Sequence, residues 1–177
     1  LLYGVLQNPV ISGPGQALLR WSVKWGLPVK PLIKATLYKQ FIGGETRAEC
    51  AQLARALAGY RIQTVLDDAA EGEESEEAFQ NNLEEFQRNI DLAAQETSIP
   101  ISVFKPSAIS RNEDLITLSR KPASQWNEAE RAAYEQIASR FDDIFSRAYE
   151  QQVPVMIDAE ESWTQGIVDQ LALTMMT

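Results

Sequence analysis

The chain has 177 residues, a formal net charge of −9 from 16 basic and 25 acidic side chains, and no histidine. That length allows one domain with a real core, but it falls short of the roughly 200 to 400 residues that a complete eight-fold α/β barrel takes. The acidic balance argues against an electrostatic nucleic-acid binder, because affinity for phosphates comes from clustered Lys and Arg, and the missing histidine excludes any mechanism that needs an imidazole base or ligand.

Cys50 is the single cysteine. There is therefore no internal disulfide framework and no thiolate metal cluster, and the residue reads as a small buried group in a reducing, cytosol-like compartment. No apolar run approaches the length of a membrane span, and no signal peptide is visible. The start at Leu1 rather than Met leads us to expect an excised or processed piece of a longer polypeptide.

Taken in order, Leu1 to Val10 is apolar and Ser12-Gly13-Pro14-Gly15 is turn chemistry. Leu18, Leu19, Trp21 and Val23 suggest a short helix over 16–25, stopped by Gly26 and Pro28. Trp21 and Trp25, with Arg20, Lys24, Lys30 and Lys34 nearby, suit either a membrane-surface or partner contact or packing outside a core. Ile33, Leu37 and Phe41 recur every four residues and predict a second helix, ended by Gly43-Gly44. Thr46 with Glu49 has the capping-box form and opens a third, closed by Gly59. Residues 1–59 thus read as a helical N-terminal region.

From residue 60 the pattern changes. Ile62, Val65 and Leu66 mark a strand over 61–66 that ends in Asp67-Asp68. An acidic cluster follows (Glu71, Glu73, Glu74, Glu76, Glu77); it lacks the ligand spacing of a calcium loop and reads as a solvated helix start capped by Ser75, with no metal site. Phe79, Leu83, Phe86, Ile90 and Ala94 continue it as one long stripe suited to a sheet. Ile99 to Phe104 is a second strand that runs into Lys105-Pro106-Ser107, and 107–126 is a polar connection with one helical turn around 113–118. Asn127 with Glu130 opens a helix whose apolar face is Ile137, Phe141, Ile144, Phe145 and Ala148. The third strand, Val153 to Ile157, ends in Asp158, and a last helix from Ser162 to Met176 carries Trp163, Ile167, Leu171 and Met175 on one side. Strand and helix alternate three times over 60–177, which implies right-handed parallel units in an α/β fold.

On its own stretch, Asp158 reads with Glu160, Glu161 and Ser162 as a cap on the next helix. A lysine at Lys105 reads alone as a chain that snorkels to solvent. The three strands together change the balance. Parallel neighbours bring Asp67-Asp68, Lys105 and Asp158 to one face, the face on which such folds bind ligands. Asp158 then becomes an active-site candidate, and the capping role stays with Glu160, Glu161 and Ser162.

Four segments in order resemble the proline dehydrogenase family: Gln40-Phe41-Ile42-Gly43-Gly44-Glu45-Thr46, Val65-Leu66-Asp67-Asp68-Ala69-Ala70-Glu71-Gly72, Val103-Phe104-Lys105-Pro106-Ser107 and Ile157-Asp158-Ala159-Glu160-Glu161-Ser162-Trp163. The resemblance implies a partial (β/α)8 TIM-like barrel, about three strand-helix units preceded by a helical region, with the chain ending before the barrel closes. It implies FAD as cofactor, L-proline as substrate, and hydride transfer that yields pyrroline-5-carboxylate, with electrons passed to a quinone. Lys105 matches the lysine that holds the substrate carboxylate, Asp158 the active-site aspartate, and Ala159 the position whose backbone lies against the flavin. Asp67 and Asp68 fall in a support position. The family's arginines and most flavin-phosphate contacts lie in later units, so the cationic partner of Asp158 is expected outside this chain, and the segment alone is expected to be inactive and prone to self-association. A cytoplasmic or mitochondrial-matrix setting follows, with a peripheral contact on the inner membrane face.

Two other readings compete. One is a noncatalytic α/β interaction domain that uses Trp21, Trp25 and the acidic face at 71–77. The other is a different barrel enzyme that uses Asp and Lys for proton chemistry.

Overall fold

A computed structural model of the chain describes residues 42–67 and 74–176, with a few positions between 13 and 38. Of the sequence expectations, the segment over 1–10, most of the helix over 31–42, Asp68, and Glu71 and Glu73 of the acidic run lie outside the described residues. The chain divides into two compact units, Leu1–Glu45 and Thr46–Thr177. In the first, the Trp25 N–H donates to the Trp21 carbonyl at 3.0 Å. Gly26 follows at φ +67°, the left-handed conformation that ends a helix and that the sequence places there.

The second unit opens with helix α1, Arg47–Ala58, whose N-cap Thr46 accepts from the Glu49 N–H at 3.3 Å. Arg47 pairs with Glu85 and donates to Asn89, and Arg55 pairs with Glu96, so α1 is fastened to the helix that follows the first strand. Strand β1 is Val65–Leu66, helix α2 Glu76–Gln95 and strand β2 Ile101–Phe104. Helix α3, Asn112–Ser119, comes next, then helix α4, Glu128–Gln151, strand β3, Val155–Ile157, and helix α5, Gln165–Met175. The three strands form one parallel sheet in the order β1-β2-β3, as alternation of strands and helices requires. The second unit is a mixed α/β structure, mostly helical, consistent with part of an α/β barrel.

Strand β1 is shorter than its sequence pattern. Arg61 turns the chain at φ 63°, and Tyr60 and Ile62 are exposed, so extended pairing starts only where Thr64 N–H reaches the Ser98 carbonyl at 3.0 Å. The α2 stripe is buried at Phe79, Leu83, Phe86 and Ile90 as expected. Its last member is Ala93 rather than Ala94, because the 3.6-residue repeat takes a step of three there.

Alternation along the strands sorts the sheet into two faces. Register pairs Leu66 with Ser102 and Ser102 with Val155, and Phe104 with Ile157; this face meets the helices. Phe104 is its centre: its ring lies 5.9 Å from Phe86 of α2 and 5.1 Å from Phe141 of α4, the latter edge-on. Val65, Ile101, Val103 and Met156 share the opposite face, and there Val65 is 41% and Met156 46% exposed.

The connection after β2 is more ordered than its polarity suggests. A tight turn at Pro106–Ala108 leads into α3, and Ile109, Leu115 and Leu118 are buried in the main core. Glu74 accepts from the Asn112 N–H at 3.1 Å, and Glu76 pairs with Arg140 and accepts from Gln136. These acids join α2 to α3 and α4, where a purely solvated helix start was expected.

Candidate active site

The carboxyl ends of the three strands place Asp67, Lys105 and Asp158 together. All three follow the sheet face opposite Phe104 in register: Asp67 continues from Val65, Lys105 from Val103 and Asp158 from Met156. The sheet ladder runs one bond past β3, where the Asp158 N–H donates to the Phe104 carbonyl at 3.0 Å, which brings Asp158 abreast of Lys105. The Lys105 ammonium donates to Asp67 Oδ2 at 3.1 Å and lies 3.9 Å from Asp158 Oδ2. A cation thus stands beside Asp158 within this chain.

Exposure differs in a way that bears on chemistry. The Lys105 side chain is 14% exposed, whereas Asp67 is 56% and Asp158 44% exposed. The cation is the most buried of the three groups, and the two acids beside it are the more accessible to solvent. An ammonium of this kind holds a carboxylate as a point charge, and an adjacent carboxylate holds an amine or orients a cationic side chain. The pair therefore suits a small molecule that carries both groups.

Ala159 is exposed in the loop that follows, with only a methyl side chain beside the backbone. Asp68 lies outside the described residues.

The expected caps of the last helix are replaced. The loop after β3 runs on to Thr164, which takes the N-cap position of α5 without a side-chain cap bond. Ser119, at the end of α3, supplies the cap across space: its hydroxyl donates to the Thr164 carbonyl at 2.9 Å and accepts from the Ile167 N–H at 3.1 Å. Glu160 has another partner. Its Oε2 accepts from the Ser107 N–H at 2.9 Å and its Oε1 accepts from the Ser107 hydroxyl. The signal for this pair was present in the sequence, since Ser107 stands two residues past Lys105 and Glu160 two past Asp158. Only the register makes those positions neighbours.

Comparison with known proteins accords with this arrangement. The carbapenem antibiotics biosynthesis protein CarD of Pectobacterium carotovorum subsp. carotovorum is 38% identical over 142 residues, covering 77% of this chain and 36% of CarD. Proline dehydrogenase 1, mitochondrial, of Dictyostelium discoideum is 26% identical over 201 residues, covering 93% of this chain and 35% of that protein. The chain thus spans about a third of the length of the curated relatives it matches. A family model described as proline dehydrogenase matches residues 50–177, a stretch that takes in all three charged strand ends, and the chain belongs to that family.

Proposed function

We propose that residues 60–177 form the first strand-helix units of a TIM-like barrel in an FAD-dependent proline dehydrogenase, which oxidises L-proline to pyrroline-5-carboxylate. The observation that carries this reading is the Lys105 ammonium held between Asp67 and Asp158 at the carboxyl ends of parallel strands. Proline is a carboxylate beside a ring amine, and these are the groups the site complements. Lys105 takes the carboxylate, exchanging its bond to Asp67 for one to the substrate. Asp158 orients the amine end or a cationic side chain that does so. Asp67, with Asp68 beside it in the sequence, keeps the lysine placed when no substrate is bound.

The bare methyl of exposed Ala159, next to Asp158, fits a planar ring laid against the loop backbone. When bound there, FAD supplies the oxidant for the ring carbon next to nitrogen, and the family's electron route leads on to a quinone. The chain's own residues bind, orient and hold charge. Trp21 and Trp25 are exposed with ring centroids 5.4 Å apart beside exposed Arg20 and Lys24, which suits a peripheral contact with a membrane surface. Among the described residues no helix is long and apolar enough to cross a membrane.

The similarity to CarD favours a second reading, in which a related oxidation of a substituted proline ring serves an antibiotic-producing route rather than proline breakdown. The test for both is proline-dependent dye reduction by the full-length protein, together with its flavin absorbance spectrum and a panel of ring-substituted prolines. Proline as the best substrate supports the first reading. A strong preference for a substituted ring supports the second, and no flavin and no turnover with any of them would overturn both. The 177-residue chain by itself is expected to show neither flavin absorbance nor proline turnover.

A further inference from the structure

We propose that Glu160 is a positioning residue that holds Lys105 and Asp158 at working distance by clamping the loop after β2 to the loop after β3. Both oxygens of its carboxylate are spent on one residue, Ser107, through the backbone N–H at 2.9 Å and through the hydroxyl. Hydrogen bonds to an ionised carboxylate are stronger than neutral ones, and two on one group fix its orientation.

The clamp matters because of what lies between. From Ser107 back to Lys105 there is only Pro106, which is fully buried and has its φ set by its ring. The turn that contains them is pinned: the Ala108 N–H donates to the Lys105 carbonyl at 3.0 Å, and the Ser110 hydroxyl donates to the Pro106 carbonyl at 2.7 Å. A shift of Ser107 therefore passes to Lys105 with little slack. On the other side, Glu160 is separated from Asp158 by Ala159 alone. The last ladder bond, Asp158 to Phe104, and the Glu160 clamp thus close a small ring that carries Lys105 on one arm and Asp158 on the other. The Lys105–Asp158 ion pair, at 3.9 Å, is too long to set a geometry by itself.

This inference rests on the proline-oxidising reading for its kinetic consequence, and its structural consequence is independent of it. In the full-length protein, Glu160→Ala is expected to lower kcat/KM for proline by roughly tenfold or more, since small misplacements of binding groups are costly in rate. Ser107→Ala, which keeps the backbone bond, should lose less, and the double variant should lose no more than Glu160→Ala, because the two residues form one unit. Glu161→Ala is the neighbouring control and should leave kcat and KM unchanged. In parallel, acetylation of Lys105 by limiting acetic anhydride, scored by mass spectrometry against Lys121, should become several-fold faster in Glu160→Ala as the ammonium loosens from its two acids. Unchanged Lys105 acetylation overturns the clamp, as does a loss of activity that only follows the loss of folded protein. If the wild type does not oxidise proline, the functional reading fails, while the acetylation ratio still decides whether the clamp positions Lys105.

Discussion

Lys105 stands at a sheet end where its side chain is only 14% exposed, a placement lysine avoids without partners. Asp67 and Asp158 offset that cost, and the arrangement predicts different effects for its members. In the proposed role, Lys105→Ala removes the charge that would take the carboxylate and leaves Asp67 and Asp158 without their shared cation. Charge-assisted hydrogen bonds contribute about 1.5 to 3 kcal/mol, so KM for proline should rise by roughly 10- to 100-fold. An unchanged KM in steady-state kinetics of the full-length protein would remove Lys105 from the substrate site. Asp158→Ala breaks a long, partly solvated ion pair, which contributes about 0 to 1 kcal/mol to stability, yet in the proposed role it removes a positioned charge whose loss should cost on the order of 10²-fold in turnover. Equal losses in turnover and in urea stability would return Asp158 to a structural role.

Helices in this chain are held at their ends as much as along their lengths. The capping box of α4 is complete: Asn127 Oδ1 accepts from the Glu130 N–H at 2.9 Å, and Glu130 accepts from the Asn127 N–H at 2.8 Å. Lys121 adds a salt bridge at 2.7 Å, and this bond, followed by that of the Asn127 N–H, holds the Glu130 carboxyl below the usual glutamate range. A folded-state value below the unfolded one means that the unfolded chain binds the proton first as pH falls. The contribution of Glu130 is therefore fully present above the ordinary value of 4.5 and is lost as pH falls through the lowered folded value. Urea titrations at pH 7, 4 and 3 should show stability falling on acidification, less steeply in Glu130→Gln; equal slopes would discount the box.

This box, Thr46 and Ser75 were legible from the sequence because caps are local patterns. The cap of α5 was not legible, because Ser119 reaches it from 48 residues away at Ile167. The same limit explains the strand ends: their charges stand out in sequence, while the Glu160–Ser107 pair appears only once register is known. Packing was legible where it followed a period. Phe104, met by Phe86, Phe141 and Phe145, is the point at which strand alternation and two helical stripes converge. Phe104→Ala should cost about 3 to 5 kcal/mol in urea unfolding, and a cost below about 1 kcal/mol would contradict its central place.

At the scale of the whole molecule, helices cover one sheet face, and the opposite face carries the candidate site, with Val103 buried at its centre and Val65 and Met156 exposed on the outer strands. In a closed barrel that face would be the filled interior, and its outer strands would be paired on both sides. In the 177-residue chain β1 and β3 are the outer strands among the described residues, and each presents backbone groups that another chain can pair with. Charge works against association, since a net −9 repels a second copy, but this repulsion is screened beyond roughly 8 Å at physiological salt. Apolar contact and strand pairing act at shorter range and are not screened. We therefore expect the isolated chain to self-associate, and more strongly as salt is raised. Sedimentation velocity across a hundredfold range of concentration measures this directly. Met156→Lys, which puts a charge on the uncovered face of an outer strand, should weaken the association while leaving Phe104 and its helices undisturbed, because its neighbours on β3, Val155 and Ile157, face the other way. A chain that stays monomeric at every concentration and salt level would mean that this face is covered by the chain itself, and the barrel-interior assignment of Lys105 and Asp158 would fall with it.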